Sequence, residues 1–114
     1  MKRMSLYLGI LFLGLGCAGK DNDAEVEKLY TQGQIAMNRA KYDSALVIYD
    51  TILKKFPDHP KNDRALFLLG YIEKEFLGNE EAARLHFNNL LARYPKSELV
   101  KDAKFLLSGE TPKI

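Results

Sequence analysis

The chain has 114 residues, 46% of them hydrophobic and 28% charged, the usage of one small folded domain; this excludes a wholly disordered chain. Lys and Arg total 17 against 15 Asp and Glu, a formal +2. Lys2 and Arg3 supply the whole surplus, so the remainder is balanced and carries no electrostatic footprint for nucleic acid. A single cysteine excludes an internal disulfide framework and a cysteine-based zinc cluster.

Met1-Lys2-Arg3-Met4-Ser5 is a short basic head. The apolar run Leu6 to Leu15 follows, and then Gly16-Cys17, the layout of a secretory signal peptide. The uncharged stretch between Arg3 and Lys20 is shorter and more glycine-rich than the roughly 20 apolar residues of a membrane-spanning helix. Leu13-Gly14-Leu15-Gly16-Cys17 resembles the lipobox of bacterial lipoproteins, with Gly14 where a leucine is usual. That resemblance implies a signal peptide over 1–16, a lipid on Cys17, and a tether over 17–23 holding the folded part near the bilayer. Ala18 rather than Asp behind the cysteine points to the outer membrane, with the periplasm or inner membrane as alternatives.

Residues 24–39 place Val26, Leu29, Tyr30, Ile35 and Ala36 near helical spacing. A second helix is expected over 42–55, with Tyr42, Ala45, Leu46, Tyr49, Ile52 and Leu53 on one stripe. Lys54 and Lys55 suit the negative end of its dipole, and Pro57 closes it. A third is expected over 61–77. Asn79 can cap a fourth over 80–93, with Glu80 and Glu81 at its positive end. Ser97 is expected to cap a fifth helix reaching Leu107, and 109–114 to form a flexible tail. Alternating strand patterns and hairpin turn dipeptides are absent, so the fold class is all-α.

These helices repeat. At an offset of 38, Ala45 falls on Ala83, Leu53 on Leu91 and Pro57 on Pro95, and Ala65, Phe67, Leu68 and Leu69 fall on Ala103, Phe105, Leu106 and Leu107. Leu29, Gly33, Ala45, Tyr49 and Pro57 in the first unit, and Ala65, Leu69, Gly70, Ala83, Phe87 and Pro95 in the second, resemble the tetratricopeptide repeat. The resemblance implies an α-α superhelix of about two and a half hairpins over 24–108. Gly33 and Gly70 would lie where paired helices press together. The second unit holds one extra residue, expected as a longer turn in Phe76-Leu77-Gly78-Asn79. Lys-Lys-Phe-Pro followed by Ala-Leu-Phe-Leu-Leu-Gly looks similar to envelope members of this family, among them the lipoprotein of the barrel-assembly machinery (BamD) and the C-terminal domain of the Tol-Pal-associated protein YbgF.

No catalytic constellation can be assembled, and neither a metal nor a cofactor is expected. His59 reads as a solvated turn residue and His86 as a half-exposed helical one; Glu73, Lys74 and Glu75 read as a solvated charged face. In tetratricopeptide folds the first helix of each pair lines a groove. Carried over by register, that groove takes Tyr30, Gln34, Met37 and Asn38, then Phe67, Tyr71, Lys74 and Glu75, then Phe105. Tyr30, Phe67 and Phe105 would form an aromatic row, either a ledge for a peptide whose backbone bonds Gln34 and Asn38, or filling between helices. Stacked repeats bury a continuous core only with neighbours, so apolar surface is expected at one end, inviting self-association or docking on a larger assembly. The implied function is a membrane-anchored adaptor for envelope proteins or peptides, in outer-membrane protein assembly. The alternatives are Tol-Pal and peptidoglycan coordination, or regulation of a cell-wall enzyme through the groove.

Overall fold

The computed structural model describes residues 22–109, which form five helices and no strand. We number them α1 (22–38), α2 (Tyr42–Lys55), α3 (Asn62–Glu75), α4 (Glu80–Arg93) and α5 (Val100–Ser108). They stack as two antiparallel hairpins, α1–α2 and α3–α4, followed by the lone α5. The proposed signal peptide, Cys17 and the tail beyond Gly109 lie outside the described residues. No helix among the described residues is long and apolar enough to cross a membrane.

The helix boundaries follow local chemistry. Lys54 and Lys55 occupy the last turn of α2, and Glu80 and Glu81 the first turn of α4, each sign matched to its end of the dipole. Asn79 caps α4, its side chain accepting from the Ala82 N–H at 3.3 Å. The two within-hairpin turns differ by the residue that the sequence predicts. After α1 the Lys41 N–H reaches back to the Ala36 carbonyl at 2.8 Å; after α3 the Asn79 N–H reaches back to Glu73, one residue further, at 2.8 Å. Both turns need a left-handed residue, supplied by Ala40 (φ 57°) and by Gly78 (φ 66°), which stand 38 apart.

Three boundaries differ from expectation, the first being the end of α3, which stops at Glu75 with Phe76 as its C-cap instead of reaching residue 77. Asn22 and Asp23, expected to belong to a tether over 17–23, are part of α1. Ser97 does not cap α5. Its hydroxyl accepts from the Leu99 N–H at 3.1 Å and donates to Asp63 at 2.6 Å. This local turn delays the helix to Val100, with Leu99 as an N-cap lacking a side-chain bond.

The core has two lobes that share α3. Val26, Tyr30 and Ala36 from α1 meet Ala45, Tyr49 and Ile52 from α2 and Ala65, Leu69 and Ile72 from α3. Leu66, about a quarter-turn round α3 from that stripe, meets Ala83, Phe87 and Leu90 from α4 and Ala103 from α5. Each large apolar side chain fully buried this way contributes about 1.5–3 kcal/mol relative to exposure. The glycines stand where the hairpin partners touch: a Cβ on Gly33 would lie 2.5 Å from the Tyr49 ring, and one on Gly70 2.6 Å from the Phe87 ring.

The apolar end expected of a short repeat stack is absent from α5. At the places where α3 carries Leu66 and Gly70 toward α4, α5 carries Lys104 and Ser108, and both are exposed. Such a polar outer face is how a terminal repeat remains soluble.

Candidate functional site

The predicted groove residues fall into two groups. Gln34 and Asn38 are exposed on the outer side of α1, with the Gln34 amide donating to the Asn38 side-chain oxygen at 3.0 Å. Glu75 is exposed near the end of α3, and Tyr71 is half-buried one turn before it. Tyr30, by contrast, is only 4% exposed. Its hydroxyl donates to the Lys61 carbonyl, its ring lies 6.0 Å from Tyr49, and the Arg64 guanidinium sits 5.0 Å above it. Burial pushes its phenol well above the ordinary range. Tyr30 is therefore a core residue joining α1 to the start of α3, and the expectation that it faces a ligand is corrected.

Met37 packs against the first lobe and Phe67 against the second. Lys74 is committed to Glu80 across the turn, at 3.1 and 3.2 Å. Phe105 is half-buried on α5. The rings expected to run from Tyr30 through Phe67 to Phe105 line up differently. Tyr42 stacks on Phe76 at 4.3 Å, Phe76 meets Tyr71 edge-on at 5.8 Å, Tyr71 stacks on Phe67 at 6.1 Å, and Phe67 meets Phe87 at 5.8 Å. This chain runs from the second lobe out to the within-hairpin turns, where Phe76 and Leu77 remain 43% and 40% exposed. Sequence reasoning assigned Tyr42 to the core stripe and Phe76 to a turn. The signal that links them is the inserted turn residue, which leaves Phe76 just beyond the end of α3 and beside the first turn of α2.

Two polar residues read as solvated, His59 and Glu73, are in fact enclosed, while His86 is half-exposed as expected. His59 is buried in the turn after α2; its Nε2 lies 2.8 Å from Asp23, and its Nδ1 accepts from the Lys61 N–H at 3.1 Å. Glu73 is buried against His86, whose Nδ1 it meets through Oε1, so the carboxylate faces α4 rather than solvent. Each histidine has one carboxylate partner, and among the described residues no group of three or more His, Cys, Asp or Glu is placed to hold a metal.

The surface thus offers an amide pair, a half-buried aromatic ledge and scattered charges, chemistry suited to contact with a polypeptide chain. A family model of the tetratricopeptide repeat matches residues 29–59 and 64–97, spanning α1–α2 and α3–α4 with the turns that follow them. Curated proteins and solved structures give no match. Two matched units, each a helical hairpin with its glycine under an aromatic ring, cover more than half of the sequence, and the chain belongs to the tetratricopeptide-repeat family, whose hairpins serve as protein-interaction modules.

Proposed function

We propose that this chain is a lipid-anchored adaptor of the bacterial cell envelope, held at the outer membrane through Cys17 and gathering partner proteins along α1 and α3. The observation that carries the binding half is the exposed amide pair of Gln34 and Asn38 on α1. Amides that bond each other at 3.0 Å on an exposed helix face can exchange that bond for one to a peptide backbone, while the Tyr71–Phe76 ring pair at the end of α3 offers apolar contact. The anchoring half rests on the basic head, the short apolar run and the small residue before the single cysteine. Multiple acyl chains at that position would give stable attachment where one chain gives only reversible binding. Outer-membrane protein assembly is the setting that the resemblance favours.

A photo-crosslinking residue placed at Gln34, and separately at the exposed Leu85 on α4, tests this in living cells. The expected result is one defined envelope protein captured from Gln34 and not from Leu85, with capture weakened several-fold by Tyr71→Ala. Mass spectrometry of Cys17 is expected to show acylation. Equal capture at both positions would refute the groove, and an unmodified Cys17 would refute the anchor.

A further inference from the structure

The first turn of α1 is held by charges. Asn22, Asp23, Ala24 and Glu25 include no buried residue, and Val26 is the first to enter the core. Three acids in the first turn and a half each take a base from the end of α2 or from the short segment that joins the hairpins. Asp23 lies 2.8 Å from His59, Glu25 pairs with Lys55, and Glu27 pairs with Lys61. Lys61 holds the centre of this arrangement, because its carbonyl also accepts the Tyr30 hydroxyl and its N–H donates to His59 Nδ1. With Nδ1 accepting, the imidazole proton sits on Nε2 and points at Asp23. The segment then passes into α3 through Asn62, fully buried, whose side-chain amide donates to the Phe56 carbonyl at 2.6 Å.

We infer that the first turn of α1 is an ionic strap that sets the angle between the two hairpins. The joint that it grips, residues 56–61, is the only covalent link between α2 and α3. The strap, Tyr30 and the Arg64 guanidinium fix α1 directly to the start of α3, and α1 and α3 are the two helices along which the proposed binding face runs. The corresponding turn after α4 is linked to the start of α3 through neutral Ser97 and Asp63, so the charged version belongs to the first joint. Both lysines of the strap are about half exposed, 56% for Lys55 and 54% for Lys61, and salt therefore reaches them: the screening length falls from about 10 Å at 0.1 M to about 3 Å at 1 M. Anything that engages Asp23, Glu25 or Glu27 from outside loosens the joint and changes the spacing of α1 and α3. The strap acts whether or not the face binds a peptide.

Amide hydrogen exchange on the full chain tests it, corrected for intrinsic rates. Between 0.05 and 1 M NaCl, the His59, Lys61 and Asn62 amides are expected to exchange roughly threefold faster, the size of one or two exposed ion pairs, with Ile72 and Leu90 unchanged. In the double variant Lys55→Gln with Lys61→Gln, which leaves the acids of α1 and its dipole untouched, the joint amides are already fast at low salt and no longer respond. Spin labels at Gln32 and Glu75 then show a broader distance distribution than in the parent. Joint amides that ignore both salt and the double substitution would overturn the inference, and so would acceleration that spreads equally to Ile72 and Leu90.

Discussion

Tyr49 and Phe87 are each buried to within 1% of complete enclosure against a glycine of the partner helix, and neither ring has room to withdraw. Gly33→Ala places a methyl 2.5 Å from Tyr49 Cε1, an overpacking of about 1–3 kcal/mol. The melting temperature is expected to fall by roughly 4–8 °C for each kcal/mol in a domain of this size. Tyr49→Leu should recover most of that loss in the double variant, which separates a steric cause from a helix-propensity effect. Tyr30 supplies a second residue-scale expectation. Desolvation holds its phenol above the ordinary value of 10.0, and Tyr49 is raised by the same cause. A group raised in the folded state gives stability that is complete below its unfolded pKa and is lost as pH climbs above it. Stability should therefore fall from about pH 10 upward, and Tyr30→Phe should show a shallower fall in denaturant midpoints between pH 9 and 11. At neutral pH the same variant is expected to be about 1 kcal/mol less stable, because the Lys61 carbonyl loses its donor.

Among the helices, the boundaries were legible where one residue decides them. Pro57, Pro95, Asn79 and the lysines of α2 mark ends by local chemistry, and α2 and α4 lie where those residues place them. The start of α5 was not legible in this way, since Ser97 turns to Asp63, a residue 34 positions earlier. The burial of His59 and Glu73 escapes the sequence for the same reason: His59 meets Asp23 across 36 residues and His86 meets Glu73 across 13, distances over which periodicity says nothing. Of the groove, the exposure of Gln34 and Asn38 follows from helical spacing, whereas the burial of Tyr30 depends on a carbonyl delivered by the joint between hairpins. The turns carry a prediction of their own. Ala40 adopts the left-handed conformation that Gly78 adopts in the second unit, and an L-residue there costs about 1–2 kcal/mol. Ala40→Gly should raise stability by up to about 1 kcal/mol after the added freedom of the unfolded chain, and Gly78→Ala should lower it, both read from thermal melts.

For the molecule as a whole, α3 is the shared wall of both lobes and α5 is the polar cover of the second. The hairpins consequently do not stand as separate units: Leu69 and Leu66, one turn apart on the same helix, enter different lobes, and Arg93 at the end of α4 donates to the Pro57 carbonyl at 3.0 Å in the first joint. Lys104 on the cover occupies the register of the buried Leu66. Lys104→Leu should convert that face into one able to receive another helix. Sedimentation is expected to show concentration-dependent association in the variant and less of it in the parent. Equal association in the two would mean that contacts elsewhere, such as the exposed Phe76 and Leu77, govern self-assembly.

The contact between ring and glycine has a consequence in time as well as in space. An aromatic side chain seated against backbone on one side and enclosed on the other turns over only when the two helices breathe apart, so the half-turns of Tyr49 and Phe87 count those openings. The two edges of each ring should give separate proton resonances that merge on warming, with the merging temperature lower for whichever hairpin separates more readily. Tyr49 and Phe87 are in this sense built-in clocks, one for each repeat, that record the breathing of each hairpin without any label.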